Sequence, residues 1–281
     1  MMQILTPRSL EEALELLAIE LPPKVLAGGT DLLVLRKDNP DKFASFLALE
    51  NVHELCGIHK EDNHIRIGSR ATHSEIEHSG IVTKYAPVLA HAAAGIGSVQ
   101  IRNRGTIGGN IIHASPAGDL IPALIALDAV AELHSLRSRR EIPLREFFLG
   151  PGKSVCRGDE LLVAAHFQLP DARERGTFLK IGPRKAVACS KVNVAVQALV
   201  HHKSIEWIRI ALGAVAPTVI RAPRTESLLQ GRLLSRELIT EAREAVREEI
   251  SPITDIRSTA EYRRQVAGVL LERALEPFLS K

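Results

Sequence analysis

Cysteine is scarce and scattered. Cys56, Cys156 and Cys189 are the three thiols in 281 residues, and no two form a Cys-x-x-Cys pair. An odd, dispersed set excludes a disulfide framework, a structural zinc site and an iron–sulfur cluster held by this chain alone. The three read as small buried hydrophobes. A surplus of either charge is missing as well: 36 Lys and Arg against 33 Asp and Glu leave +3, with both signs interleaved. That excludes a basic nucleic-acid footprint, and Arg137-Ser138-Arg139-Arg140 reads as a solvated turn. No run of about 18 apolar residues occurs, and Met1 to Pro7 lacks a basic segment followed by an apolar one. The chain is therefore expected to be cytoplasmic, with no membrane span. Catalytic signatures are absent too. With no Gly-x-Ser-x-Gly, no His-Glu-x-x-His and no P-loop, neither a nucleophile nor a general acid–base set stands out.

What is present is ordinary in bulk. Hydrophobic residues make up 45% and charged residues 25%, and the length suffices for two or three domains. Two segments are unusual. Arg102-Asn103-Arg104-Gly105-Thr106-Ile107-Gly108-Gly109-Asn110 runs on to Ser115-Pro116-Ala117-Gly118-Asp119, and Ala27-Gly28-Gly29-Thr30-Asp31 follows the apolar Val25-Leu26. Glycine permits positive φ and close backbone approach, so successive N–H groups can face one concavity and hold an anion. Two such segments beside apolar runs suggest two loops cradling one diphosphate, with the Thr30 and Thr106 hydroxyls as further donors. The spacing fails Gly-x-Gly-x-x-Gly, which disfavours a Rossmann fold.

Periodicity and punctuation predict an α+β chain. Ser9 caps a helix over Leu10 to Leu17, with Glu12 completing a capping box and Pro22-Pro23 stopping it. A short strand from Lys24, a helix over Asp31 to Lys37 and a strand over Phe46 to Leu49 make a unit of about fifty residues. Strand His64 to Gly68, helices at His73 to His78, Pro87 to Ala94 and Leu120 to Leu127, and strands at Ala129 to Leu136 and Glu160 to Leu169 form a second. Asp171 to Thr177 reads as a charged turn and a boundary. Strands over Lys191 to Val200 and Ile205 to Gly213 then precede helices over Arg221 to Gln230, Arg236 to Ile250 and Ser258 to Leu275.

Gly105 to Asn110 with Ser115 to Asp119 resembles the FAD-binding loop of the molybdenum hydroxylase flavoproteins, the medium subunits of xanthine dehydrogenase, carbon monoxide dehydrogenase and related enzymes. Ala27 to Asp31 resembles that family's other FAD loop. The likeness continues through Ile210 to Thr218 and Pro252-Ile253-Thr254-Asp255-Ile256-Arg257 to Glu261-Tyr262-Arg263-Arg264, and so covers nearly the whole chain. It implies a non-Rossmann FAD-binding region over residues 1–173, with subdomains about 1–55 and 56–173, and a C-terminal α+β domain over 174–281.

The resemblance also implies a non-covalent FAD and the residues that touch it. These are Lys24, Val25, Leu26, Ala27, Gly28, Gly29, Thr30 and Asp31 in the first loop, and Thr106, Gly108, Gly109, Asn110, Ile112 and His113 in the second. Ile101 and Leu162 pack on the flavin ring by the same likeness, although apolar residues there would be core by default. Asp119 contacts the ribityl or ribose hydroxyls, its bland alternative being an N-cap. Lys180 lies near the isoalloxazine N1 and carbonyl, where a cation stabilises reduced flavin; its alternative is a surface lysine. Val187 and Ala188 stand where some members carry an acidic pair, so the electron acceptor stays open. The implied function is electron transfer: from a molybdopterin large subunit through [2Fe–2S] clusters in a small subunit to FAD here, then to NAD or another acceptor. A stand-alone FAD oxidoreductase and a non-redox assembly or binding homologue are the alternatives.

Overall fold

The computed structural model describes residues 3–40, 43 and 45–279, so the outermost ends of the expected domain bounds lie outside it. The first unit is a parallel sheet of β1 (Gln3–Leu5), β2 (Lys24–Leu26) and β3 (Ser45–Ala48), in the order β1-β3-β2. Parallel strands need crossovers, and α1 (Leu10–Leu17) and α2 (Leu32–Asp38) supply them. Ser9 Oγ accepts from Glu12 N–H, as expected, but the Glu12 carboxylate reaches one residue further back, to Arg8 N–H.

The second unit opens with β4 (Ile58–Glu61), β5 (His64–Gly68), α3 (His73–His78), α4 (Gly80–Tyr85) and α5 (Pro87–Ala94). It continues with α6 (Val99–Arg102), α7 (Ile107–His113), α8 (Leu120–Ala126), β6 (Val130–His134) and β7 (Arg139–Pro143). A hairpin of β8 (Phe148–Gly150) and β9 (Lys153–Ser154) leads into β10 (Leu161–Gln168). The antiparallel sheet runs β4-β5-β10-β6-β7. Its central strand serves two cores. A register shift between Leu162 and Ala164 turns Leu161 and Val163 toward Leu14, Leu17 and Leu47 of the first unit. Leu162, Ala165 and Phe167 face the helices instead.

The chain then crosses to a four-stranded antiparallel sheet, β11 (Glu174–Ile181), β12 (Val192–His201), β13 (Ser204–Gly213) and β14 (Ile220–Arg221). Three helices, α9 (Pro223–Leu229), α10 (Arg236–Glu249) and α11 (Ala260–Leu275), complete the third unit. Val194, Val196 and Ile210 pack against Leu238, Val246 and Leu271 from the helices. The opposite side meets α8, Leu-Ile-Pro-Ala-Leu-Ile-Ala, in which every residue is buried. A helix apolar all round must be enclosed. Ala195 and Ala211 of the third unit accordingly join Leu124 and Leu127 in one core.

Three local expectations are corrected. Arg139 and Arg140 belong to β7 rather than a solvated turn, and Arg140 makes two bonds to the buried Glu160 carboxylate, at 2.6 and 2.7 Å. The charged stretch at 171–177 is extended from Glu174 onward, because Glu174 to Thr177 pair with Leu199 to Val196 in the ladder. Cys189 is exposed rather than buried, whereas burial pushes the Cys156 thiol up to about 12, which leaves it unreactive.

His73, buried, begins α3, whose capping box is supplied by Thr72 and Glu75. Burial, with the nearby charge of Arg102, pushes its pKa down to about 4. The unfolded chain therefore binds a proton near 6.5 that the folded chain refuses until about 4. The folded state loses on the order of 3 kcal/mol as pH falls through that window. Urea unfolding at pH 7.5 and pH 4.5 should show a smaller acid loss for His73→Gln than for the wild type. Equal losses in the two proteins would refute this assignment.

Candidate functional site

The two glycine segments meet. A Cβ on Gly28 would lie 1.9 Å from the Arg104 carbonyl oxygen, so glycine there lets one loop rest on the other. Gly29 holds φ +72°, turning the chain from β2 toward α2. A second tie joins the segments, since His113 Nδ1 stands 2.7 Å from Asp31 Oδ2. Asp31 heads α2 without a side-chain bond to it, because its carboxylate faces His113.

The two segments differ in what their backbones offer. The second was expected to be an open loop and is instead the start of α7. Ile107 N–H donates to Ala71 O, Gly108 N–H to Ser69 O, Gly109 N–H to Thr106 Oγ1 and Asn110 N–H to Thr106 O. Those donors are spent within the chain. In the first segment, the N–H groups of Gly28, Gly29 and Thr30 donate to no acceptor among the described residues. Anion-binding capacity of the backbone thus concentrates in Gly28 to Thr30.

The glycines of the second segment are not equivalent. A Cβ on Gly105 would lie 2.9 Å from the His73 ring, and one on Gly108 would lie 2.7 Å from Ser69 O. Chain packing requires both. Gly109 is exposed, has no positive φ, and a Cβ there would meet only Thr106 Oγ1, at 3.2 Å. No other described residue comes within 4 Å of that position. Beside it, the Asn110 side-chain oxygen is buried without a partner.

The segment is braced from below. Arg102 donates to Glu77 Oε2 at 2.7 Å, and Asn103 accepts from Ser74 at 2.5 Å. Arg104 escaped the sequence reading, which treated the two arginines alike. Its side chain is exposed and makes no ion pair among the described residues, while its carbonyl touches Gly28. Ile101, on α6 rather than at a loop end, and Ile112 are exposed beside the cradle. Lys24 is exposed at the start of β2, and Val25, Leu26 and Ala27 are half-buried behind it. Leu162 is 3% exposed within the core, the default reading for such a residue.

Asp119 and Lys180 come together. Asp119 makes no N-cap bond to α8. Its carboxylate accepts from Lys180 Nζ at 2.5 Å, from Ser190 Oγ at 2.5 Å and from Asn193 Nδ2 at 2.8 Å. Lys180 also donates to Gly95 O and Ala188 O. One carboxylate on the second unit therefore binds three donors from the third. The preceding loop is held the same way, since Ala214 N–H donates to Pro116 O at 2.7 Å.

With side-chain exposures of 16% and 7%, this pair is substantially desolvated. Removing one partner strands the other, so Lys180→Met and Asp119→Asn should each cost about 3 kcal/mol. The double variant should lose less than the sum by at least about 1 kcal/mol. Urea unfolding followed through Trp207, the one tryptophan, measures this. Strict additivity would refute the coupling of Asp119 to Lys180.

Comparison with known proteins follows the same division of the chain. The family described as FAD binding domain in molybdopterin dehydrogenase matches residues 1–171, and the CO dehydrogenase flavoprotein C-terminal domain matches residues 177–278. The xanthine dehydrogenase FAD-binding subunit of Escherichia coli O157:H7 is 32% identical over 270 residues, covering 95% of this chain and 92% of that one. The carbon monoxide dehydrogenase medium chain of Hydrogenophaga pseudoflava is 33% identical over 271 residues, covering 96% and 94%. A solved carbon monoxide dehydrogenase from that organism, lacking the Mo-pyranopterin moiety of its cofactor, superposes with a TM-score of 0.94 at 32% identity, covering 98% of this chain and 96% of that one. Quinoline 2-oxidoreductase from Pseudomonas putida 86 also reaches 0.94, at 25% identity, covering 99% and 97%. With both parts matched and relatives above 30% identity along its length, the chain belongs to the FAD-binding medium subunits of the xanthine dehydrogenase and carbon monoxide dehydrogenase type, the flavoprotein branch of the molybdenum hydroxylases.

Proposed function

We propose that this chain holds FAD non-covalently across its two glycine segments and works as the electron-transfer subunit of a molybdenum-containing hydroxylase or dehydrogenase. Electrons arrive from [2Fe–2S] clusters on a small subunit, supplied by a molybdopterin large subunit, and leave for NAD or another acceptor. The boundary at 173/174, the subdomains about 1–55 and 56–173, and a cytoplasmic location belong to the same reading. Among the described residues no helix is long and apolar enough to cross a membrane, and the three cysteines are free thiols.

The observation that carries the reading is the empty space at Gly109. Glycine weakens a helix by roughly 1 kcal/mol relative to alanine, and here no neighbour or backbone angle demands it. A ligand passing close to the backbone does. The free N–H groups of Gly28 to Thr30 suit a diphosphate, the exposed Arg104 adds positive charge, and the orphan Asn110 oxygen suits a ribityl or ribose hydroxyl. FAD, when bound, supplies the redox chemistry. The protein's own part is placement. Gly28 and Gly29 bring the cradle close, Lys180 brings a fixed cation and Asp119 fixes that cation. Ile101 and Ile112, both exposed, supply apolar surface beside the cradle, whereas Leu162 lies in the core behind it. On the acceptor side, Arg184 donates to Val187 O and closes a loop carrying Lys185 with no acidic pair. A basic rim of that kind suits a negatively charged acceptor such as NAD.

The test is a contrast between two glycines. Gly109→Val should purify folded, with an unfolding midpoint near that of the flavin-free wild type and without flavin absorbance. Gly28→Ala should lose stability as well as flavin, because its Cβ drives into a backbone carbonyl. Full flavin occupancy in Gly109→Val would overturn the cradle assignment.

A further inference from the structure

The face of the third sheet that meets the second unit is not filled along its whole length. Residues paired across an antiparallel ladder point to one side of the sheet. Phe178, Ala195 and Ala211 make one such row across β11, β12 and β13, and all lie in the core shared with the second unit. The next row on that side is Gly176, Gln197 and Arg209, and the one after is Glu174, Leu199 and Trp207. Here the two units part. They leave a cavity of about 190 Å³, with Leu127 and Leu169 from the second unit on one wall and Glu174, Gln197, Trp207 and Arg209 on the other. It lies beside the crossover from β10 to β11 that joins the units, whereas Lys180 sits at the far end of β11, on the order of 20 Å away at the rise of a strand.

The polar groups of the cavity are held in place but only partly used. Gln197, 1% exposed, donates from Nε2 to Glu174 Oε2 at 3.0 Å, and Asp171 N–H donates to Glu174 Oε1 at 2.9 Å. The carboxylate is thereby fixed, with lone pairs to spare on both oxygens. Gln197 Oε1 is buried without a partner, a costly state for an amide oxygen. Arg209 lies over the Trp207 ring, 4.6 Å from its centroid. Its ion-pair partner Asp128 stands at 3.7 Å and is itself bonded to Arg145 at 3.0 Å. The guanidinium therefore has N–H groups to offer.

We propose that this cavity binds a small neutral N-heterocycle that carries a ring N–H beside a ring carbonyl, a cyclic amide. Its N–H donates to Glu174 and its carbonyl accepts from Arg209. The volume is below the roughly 300–1,000 Å³ of drug-sized sites, so the ligand has about a dozen non-hydrogen atoms. One carboxylate and one guanidinium cancel, so a net charge on the ligand would go unpaired. Leu127 and Leu169 face its hydrocarbon body, and a planar guanidinium stacks on flat rings. β11 and β13, with β12 between them, run about 10 Å apart, a gap that two inward-reaching side chains and one ring close. A zwitterionic amino acid would meet the same two charges but would have to shed the hydration of both of its own. With one wall from each unit, the bound ring stabilises their docked arrangement.

The test titrates the purified full chain by calorimetry with isoindolin-1-one and thymine as cyclic amides, and with L-tryptophan as the zwitterion. Both cyclic amides should bind, and should change the fluorescence of Trp207, the one tryptophan. Arg209→Met keeps an apolar stem on the indole but removes the donor, and should weaken their binding ~10-fold or more. Glu174→Gln should weaken it by a similar factor. Both variants should unfold close to the wild-type temperature, since ion pairs at this exposure contribute little. No response from the wild type up to about 1 mM, or wild-type affinity in both variants, would overturn the site. Binding of L-tryptophan without binding of either cyclic amide would overturn the ligand class.

Discussion

Three donors from one folding unit converge on the carboxylate of Asp119, which belongs to another, and the arrangement of the site depends on that convergence. A carboxylate at this depth is costly unless its oxygens are satisfied. Lys180, Ser190 and Asn193 satisfy them only when the third unit is docked in one orientation. The Ser115 to Gly118 loop is then carried to its place by the Ala214 N–H bond to Pro116 O. Hydrophobic burial around α8 supplies most of the adhesion, because apolar contact is strong but tolerant of sliding. The polar network supplies the register that such contact lacks. The C-terminal unit therefore acts as a clamp on Asp119 and the loop before it.

The glycines divide by the same kind of reasoning. Gly28, Gly105 and Gly108 are required by the chain itself, since each lies against a carbonyl or a ring. A Cβ on Gly109 would meet only Thr106 Oγ1 among the described residues, at 3.2 Å, and no backbone carbonyl or ring. The difference is invisible in a run of glycines and becomes plain once neighbours are in place. It also redistributes the work of the two segments. The first supplies free N–H donors. The second supplies a close, capped surface whose own donors are satisfied.

Much of the fold was legible because hydrophobic period and caps are local signals. The Ser9 cap, the helix at His73 to His78, the strands at Leu161 to Gln168 and Val192 to His201, and the closing helices all left their marks in the order of residues. The misses share a cause. Glycine has low helix propensity, so Ile107 to His113 read as a loop, yet Thr106 capping and bonds to Ser69 and Ala71 override that preference. Arg140 read as solvated because its partner Glu160 lies twenty residues away and meets it only through the sheet. Glu174 to Thr177 read as a turn from their charges, whereas ladder bonds to β12 make them extended. At the site, the residue types were legible and their partnerships were not. Asp119 and Lys180 stood as two separate ligands, 61 positions apart, with nothing in the sequence to pair them.

That pairing changes what Lys180 could do for the flavin that the proposed function places here. A free ammonium on a four-carbon stem would sample many positions and be strongly hydrated, so its field at any fixed atom would be averaged and screened. Here three acceptors hold it: a carboxylate and two carbonyls from different segments. Its charge is partly offset by Asp119, but its position is fixed and desolvated. A fixed charge acts without reorganising at the moment of electron transfer, and that is the useful property in redox tuning. The reactive chemistry belongs to the cofactor, and this chain contributes a rigid electrostatic frame whose rigidity comes from Asp119 and the three donors that meet it.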